Sequence, residues 1–238
     1  MFLYQSDNLF FMLSKLLPAE KLSQIILGGQ DGLVNTFGVI LGVAAASADI
    51  KIVIAGGLAA CFAESISMGA VSYTSQRADK DHFEGQLGKT RKQIDSNPKE
   101  MKLLVRKVYQ DKGFRGKELD KIVELITSNK GAWESILMND YYNLSGYSMK
   151  DAVKNANIVF FSALVGSLIP LLPFFFFSLR TSIILSVIFS AVTLFSFGYY
   201  KGKITVGRPV FNGVELLVIG MTAAVLGYAI GWFFGYYA

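Results

Sequence analysis

Hydrophobic and polar positions divide this chain on a coarse scale. Long apolar runs cover roughly residues 25–48, 52–75, 155–178 and 211–236, with a fifth at 181–200. Each reaches the length of about 20 residues that an α-helix needs to cross the hydrocarbon core of a bilayer. They lack the alternating polarity of a membrane-barrel strand and exceed its length of about ten residues. The expected fold is all-α: a polytopic membrane protein with five transmembrane helices and a helical cytoplasmic insert between spans two and three. The expected boundaries are an N-terminal interfacial segment at 1–24, spans one and two at 25–76, the insert at 77–150, and spans three to five at 151–238.

The polar interval at 77–150 has its own periodicity. Residues 77–95 read as a helix continuing out of span two. The stretch "NPKEMKLLVRKVYQDKG" reads as a second helix. Asn97 stands at its cap, Pro98 in its first turn and Glu100 three after the cap, the arrangement of a capping box. Met101, Leu104, Val105 and Val108 make one apolar face, and Gly113 supplies the stop. "GKELDKIVELITS" predicts a helix over 116–128 with Ile122, Leu125 and Ile126 together. "AWESILMNDYYNLSG" predicts a third insert helix. At the start of the chain, Phe10 to Leu17 reads as a short helix lying along the membrane surface. The absence of a basic region before it argues against a secretory signal peptide.

Composition supports the membrane reading. Hydrophobic residues make up 52% and charged residues 17%, against roughly 25% charged in soluble domains. The charge is unevenly placed. Of 23 Lys and Arg, 15 lie in 77–150, against 11 acids there. Lys154, the Lys201, Lys203 and Arg208 loop, and Lys15 and Lys21 fall on the same side as that interval. Only Lys51 and Arg180 fall on the other. Basic short loops stay cytoplasmic, so the N-terminus and the insert are expected inside and the C-terminus outside. The net charge of +5 is then a topology signal beside anionic lipid, and a nucleic-acid partner is not expected. The membrane would be the plasma membrane in a prokaryote and an organelle membrane in a eukaryote. The one cysteine, Cys61, cannot form an intrachain disulfide and reads as a packing residue in span two.

Two carboxylates break the apolar pattern. Asp31 and Asn35 are an i, i+4 pair and share a face of span one, which Gly38 and Gly42 continue. In span two, Cys61, Glu64, Met68 and Ser72 form one stripe. An ionisable group inside a membrane is costly and survives where it faces protein or water. If the two stripes meet, two carboxylates, an amide, a thioether and a hydroxyl share one lumen. Such a set suits a divalent transition metal: the thioether favours softer ions such as Fe²⁺ over Mg²⁺ or Ca²⁺, and carboxylates release protons as metal binds. Glu215, at the start of span five, reads as a partner of Arg208. His82 is a lone histidine beside Asp81. There is no H-E-x-x-H, G-x-S-x-G or phosphate-binding glycine loop, so no enzyme and no cofactor are expected. Gly28-x3-Gly32, Gly38-x3-Gly42, and Gly227, Gly231 and Gly235 permit close helix approach, either within one subunit or in a homodimer centred on span one.

These residues carry a resemblance. "DGLVNTFGVILGVAAA" is similar to the D-G-L-V-T-T-F-x-x-x-x-G-V-x-G-A opening of the vacuolar iron transporter family, and "AESISMGAVSYTSQR" resembles that family's second-span motif. "NPKEMKLLVRKVYQDKGF" and "LVGSLIPLLPF" resemble its cytoplasmic helix and third span. The resemblance implies a five-span homodimer that exports Fe²⁺, and often Mn²⁺, from the cytosol in exchange for protons. It implies that Asp31 and Met68 line the path, with Glu64 at the acidic position of the second motif, and an insert that collects metal with glutamates. The chain departs from the family at Ser72, where an acid is expected, and at Thr90 and Gln93 in the stretch where relatives are Glu-rich. "LMNDYYNLSG" has Tyr and Asn where a Glu is usual, while Met138 keeps its character. The membrane path is thus better supported than a loading site in the insert.

The expected function is export of a divalent transition metal, Fe²⁺ first and Mn²⁺ second, in exchange for protons. Asp31 and Glu64 would be ligands and proton carriers, Met68 the soft ligand, and Asn35 and Ser72 contacts to water or ion. The alternatives are the same fold with another cation, a channel, or a regulatory or structural membrane role.

Overall fold

The computed structural model describes residues 19–146, 148–204 and 207–237, and the interfacial helix expected at Phe10 to Leu17 lies outside them. The described residues form α1 (Ala19–Ala46), α2 (Ile50–Ser96), α3 (Pro98–Asp111), α4 (Gly116–Thr127), α5 (Lys130–Ile136), α6 (Met149–Leu171), α7 (Leu179–Ile204) and α8 (Pro209–Tyr237), with no strand among them. A π-helical turn at Leu137–Tyr141 follows α5, and a 3-10 turn at Leu172–Phe175 follows α6. Five of these helices, α1, α2, α6, α7 and α8, are long and apolar enough to cross a membrane. The chain is an all-α integral membrane protein.

Contacts divide the chain into two compact units, one up to Tyr73 and from Val153 onward, the other Thr74–Ala152. The first holds the apolar helices. Its outer surface exposes Phe62, Ile66, Phe161, Ile184, Val192 and Trp232, a distribution that suits lipid and not water. Inside, Leu33, Phe37 and Leu41 of α1 pack with Leu194 of α7 and with Leu216 and Ala224 of α8. Ile40 and Ala44 pack on Val53 of α2 and on Leu171 and Phe174. Lipid tails are as apolar as these side chains, so association depends on close packing, and glycine provides it. A Cβ at Gly227 would stand 2.3 Å from the Gly38 carbonyl oxygen, and one at Gly231 would stand 1.8 Å from that of Gly42. On another face of α1, a Cβ at Gly32 would meet the Ala163 carbonyl oxygen of α6 at 2.3 Å. Both glycine pairs of span one are therefore occupied within the subunit.

Short breaks set the helix ends. The Asp49 carboxylate accepts from the Lys51 backbone N–H at 2.8 Å as α2 begins. Pro170 lies inside the last turns of α6, and Pro173 in the 3-10 turn. The Ser182 hydroxyl then donates to the Pro173 and Phe177 carbonyls at 3.0 and 3.2 Å, tying that turn to α7.

The second unit has its own core. Ile94 of α2, Met101 and Val105 of α3, Leu119 and Val123 of α4, Trp133 of α5 and Leu137 are buried together. Pro98 opens α3 as expected, but the expected capping box is not formed: the Asn97 side chain makes no cap. Its backbone N–H still donates to the Gln93 carbonyl at 2.7 Å, completing the end of α2. In α4 the buried face is Leu119 and Val123 with Ile126 against it, while Leu125 is 75% exposed, contrary to the expected face. Gly113 and Gly116, at φ +101° and +58°, make the left-handed turn between α3 and α4. Asn129 caps α5 by accepting from the Ala132 N–H at 3.0 Å.

Glycines in the two units should respond oppositely to substitution. Gly231→Val should abolish recovery of folded, monodisperse protein, because the new side chain meets α1 backbone that cannot yield. Gly85→Ala, in open space on α2, should stabilise by about 0.5–1 kcal/mol through helix propensity. Thermal unfolding in detergent reads both, and a stable Gly231→Val protein would refute the packing described for α1 and α8.

Candidate functional site

The site grows from the opening of α1. Gly28 and Gly32 dock that part of the helix onto α6, and the Ser167 hydroxyl donates to the Gly32 carbonyl at 2.9 Å. With that face committed, Asp31 and Asn35 stand on a different side of the same turns. Asp31 is half-buried and Asn35 exposed. The facing residues come from α2, whose Gly57 fits against Ile40 and Leu171 and whose Gly69 fits against Phe160. Between these glycines lies Glu64, half-buried, and its carboxyl interacts with both the Asp31 carboxyl and the Asn35 amide. The first and second spans thus bring two carboxylates and an amide to one place within apolar helices.

Met68 and Ser72 continue along α2 at i+4 and i+8 from Glu64 and are half-buried. Cys61 does not share their direction. It is fully buried, and its Sγ donates to the Leu164 carbonyl of α6 at 3.9 Å. The stripe read from the sequence therefore splits, with Cys61 serving helix packing against α6. Beside Asn35, a groove of about 640 Å³ runs between α1 and α8. Its walls include Val39 and Gly42 on one side and Leu226 and Gly231 on the other.

Chemically, the carboxylate pair can hold a cation or a proton where no basic side chain in the neighbouring turns of α2 competes. Among the described residues no three His, Cys, Asp or Glu side chains group closely enough to hold a metal ion by themselves. A metal at this place would complete its shell from Asn35, Met68, water or a second chain.

Other predicted residues lie elsewhere. His82 is exposed on α2 in the second unit. Glu215 does not pair with Arg208. It lines a small pocket of about 80 Å³ with Gln30, Lys201 and Asn212; Arg208 stands before α8 begins, and seven residues of helix rise by roughly 10 Å. The sequence reading also missed a row of fully buried hydroxyls on α7, Ser182, Ser186 and Ser190. Their i, i+4, i+8 spacing was the available signal.

Burial of the only cysteine gives a direct check. Cys61 should resist maleimide in the folded protein and react at once in denaturant, and Cys61→Ala should leave the carboxylate site intact. Rapid labelling of native protein would contradict its placement against α6.

A family model described as the VIT family matches residues 22–232. Vacuolar iron transporter 1 of Oryza sativa subsp. japonica is 30% identical over 210 residues, covering 88% of this chain and 83% of the relative. Vacuolar iron transporter 1 of Arabidopsis thaliana is 27% identical over 212 residues, 89% of this chain and 85% of the relative. Protein CCC1 of Saccharomyces cerevisiae is 29% identical over 238 residues, 90% of this chain and 67% of the relative.

Proposed function

Because this chain belongs to the VIT family, we propose that it is a secondary transporter moving a divalent transition metal, Fe²⁺ first and Mn²⁺ second, out of the cytosol in exchange for protons. The observation that carries this reading is the meeting of Glu64 with Asp31 and Asn35 across α1 and α2. Carboxylates inside apolar helices are expensive, and those that persist mark ion and proton paths. Asp31 and Glu64 would ligate the ion and carry the returning protons. Met68, one turn beyond Glu64, would be the soft ligand that disfavours Mg²⁺ and Ca²⁺. Asn35 and Ser72 would contact the ion or its water.

The site is open on the side of Asn35, which is exposed in a single subunit. A homodimer through α1 would close that side and bring a second set of carboxylates to the ion. The distribution of Lys and Arg supports a cytoplasmic N-terminus and insert, with the C-terminus opposite. Alternating exposure of the one site would couple metal movement to the proton gradient.

Purified protein in liposomes with an imposed pH gradient tests this. Fe²⁺ and Mn²⁺ uptake should depend on the gradient in the wild type and be lost in Glu64→Gln. Asp31→Ala and Met68→Ala should each remove most transport while the protein stays folded. Uptake indifferent to the gradient would indicate a channel. Full activity in both alanine variants would sink the site assignment. No uptake of either ion by folded protein would indicate another cargo or a role other than transport.

A further inference from the structure

The resemblance leads one to look for a metal-collecting centre in the unit Thr74–Ala152, and the side chains there do not fit one. Where Glu134 and Met138 come near α2, both are already engaged. The Thr90 hydroxyl, fully buried, donates to the Met138 sulfur at 3.8 Å, and Met138 is itself 1% exposed. The Arg91 guanidinium donates to the Glu134 carboxylate at 3.0 Å, and that carboxylate side chain is only 13% exposed. Lys130 reaches back to Asp95 on α2 at 2.6 Å. Nearby, Lys112 binds Asp140 in the π-helical turn, and this hydrogen bond raises the Lys112 ammonium above its usual range. Arg106 takes Asp120.

The π-helical turn matters here because such turns often mark functional positions. This one turns Met138 inward and leaves Asn139 at the rim of a cavity of about 280 Å³, with Phe83, Leu87, Glu134 and Ser135 among its walls. The Asn139 amide donates to the Ser135 hydroxyl at 3.2 Å. A divalent ion in this cavity would need carboxylate oxygens that are not held by a cation. Glu134 is the one acid in the wall, and it already has Arg91. Hard and borderline cations are bound by several oxygens, and no cluster of three potential acid, thiol or imidazole ligands is found among the described residues.

We infer that this unit closes without metal: the Arg91–Glu134 ion pair and the Thr90–Met138 contact join α2 to α5 and the π-helical turn, with a guanidinium as the resident cation. Any metal recognition would then fall to the membrane unit. The inference concerns the second unit and stands whether or not the proposed transport reading holds.

The two tryptophans make it measurable in the full-length protein. With Trp232 changed to Phe, the fluorescence of Trp133, buried in the core of this unit, follows its unfolding. Adding Mn²⁺ or EDTA should leave the Trp133 transition where it is, and Arg91→Ala should lower it by about 2–4 °C. Equilibrium dialysis should find the same Mn²⁺ per chain in Glu134→Gln/Met138→Leu as in the wild type. A Trp133 transition raised by Mn²⁺, or bound Mn²⁺ lost in the Glu134→Gln/Met138→Leu protein, would overturn the inference. Loss of Mn²⁺ only in Asp31→Asn/Glu64→Gln supports both it and the transport reading. A wild type that binds no Mn²⁺ at all supports it while counting against Mn²⁺ as cargo of the membrane site.

Discussion

The contact on which the membrane unit depends is backbone against backbone, where α1 meets α8. Gly38 and Gly42 of one helix lie against Gly227 and Gly231 of the other, and at Gly42, Gly227 and Gly231 there is no room for a methyl group. In lipid, apolar side chains gain nothing by leaving one hydrocarbon for another, so intimate van der Waals contact must supply the attraction. The same helix uses Gly28 and Gly32 against α6. Two sides of α1 are thus fixed at close range. The turns bearing Asp31 and Asn35 cannot rotate without losing both contacts, and this fixes the direction in which the carboxylate points.

The number and kind of helices were legible in the sequence because bilayer thickness sets a length that few soluble helices match without charge. Partners were harder to read. Glycine spacing announces that one face is small, but not what it meets, so intrasubunit packing and a dimer read alike until α6 and α8 were seen against α1. Apolar periodicity in α4 was ambiguous for a related reason. Leu119, Ile122, Val123, Leu125 and Ile126 offer two overlapping faces, and packing with α3 selected Leu119 and Val123. Asn97 has a capping residue's chemistry, yet the chain turns from α2 to α3 there with no side-chain cap.

Helix arithmetic put Asp31 and Asn35 on one face of span one and Glu64 on one stripe of span two, but left their meeting conditional; the packing of α1 beside α2 supplied it. What could not be read was the fate of Cys61. It sits one turn before Glu64 on α2, but the rotation between them is enough to turn it to the carbonyl of Leu164. A stripe defined by i−3 and i+4 is broad, and its edges belong to different neighbours.

Acidic residues meet different partners in the two units, and the difference follows from what surrounds them. In the polar unit Asp95, Asp120, Glu134 and Asp140 each have a Lys or Arg within reach. Such pairs are cheap to form where water screens both partners, and each is worth little singly; Glu134, the most buried of these acids, is held by a guanidinium that water reaches. Along the apolar stretch of α2 around Glu64 there is no Lys or Arg in the neighbouring turns, because each would carry its own cost of entering the bilayer. A carboxylate in that setting is neutralised by something that can come and go, a proton or a cation from solution. The two kinds of neutralisation exclude one another at a single pair of oxygens. Under the proposed function, competition between ion and proton would need no device beyond the placement of Glu64 beside Asp31 in a helix pair too apolar to hold a permanent counter-charge.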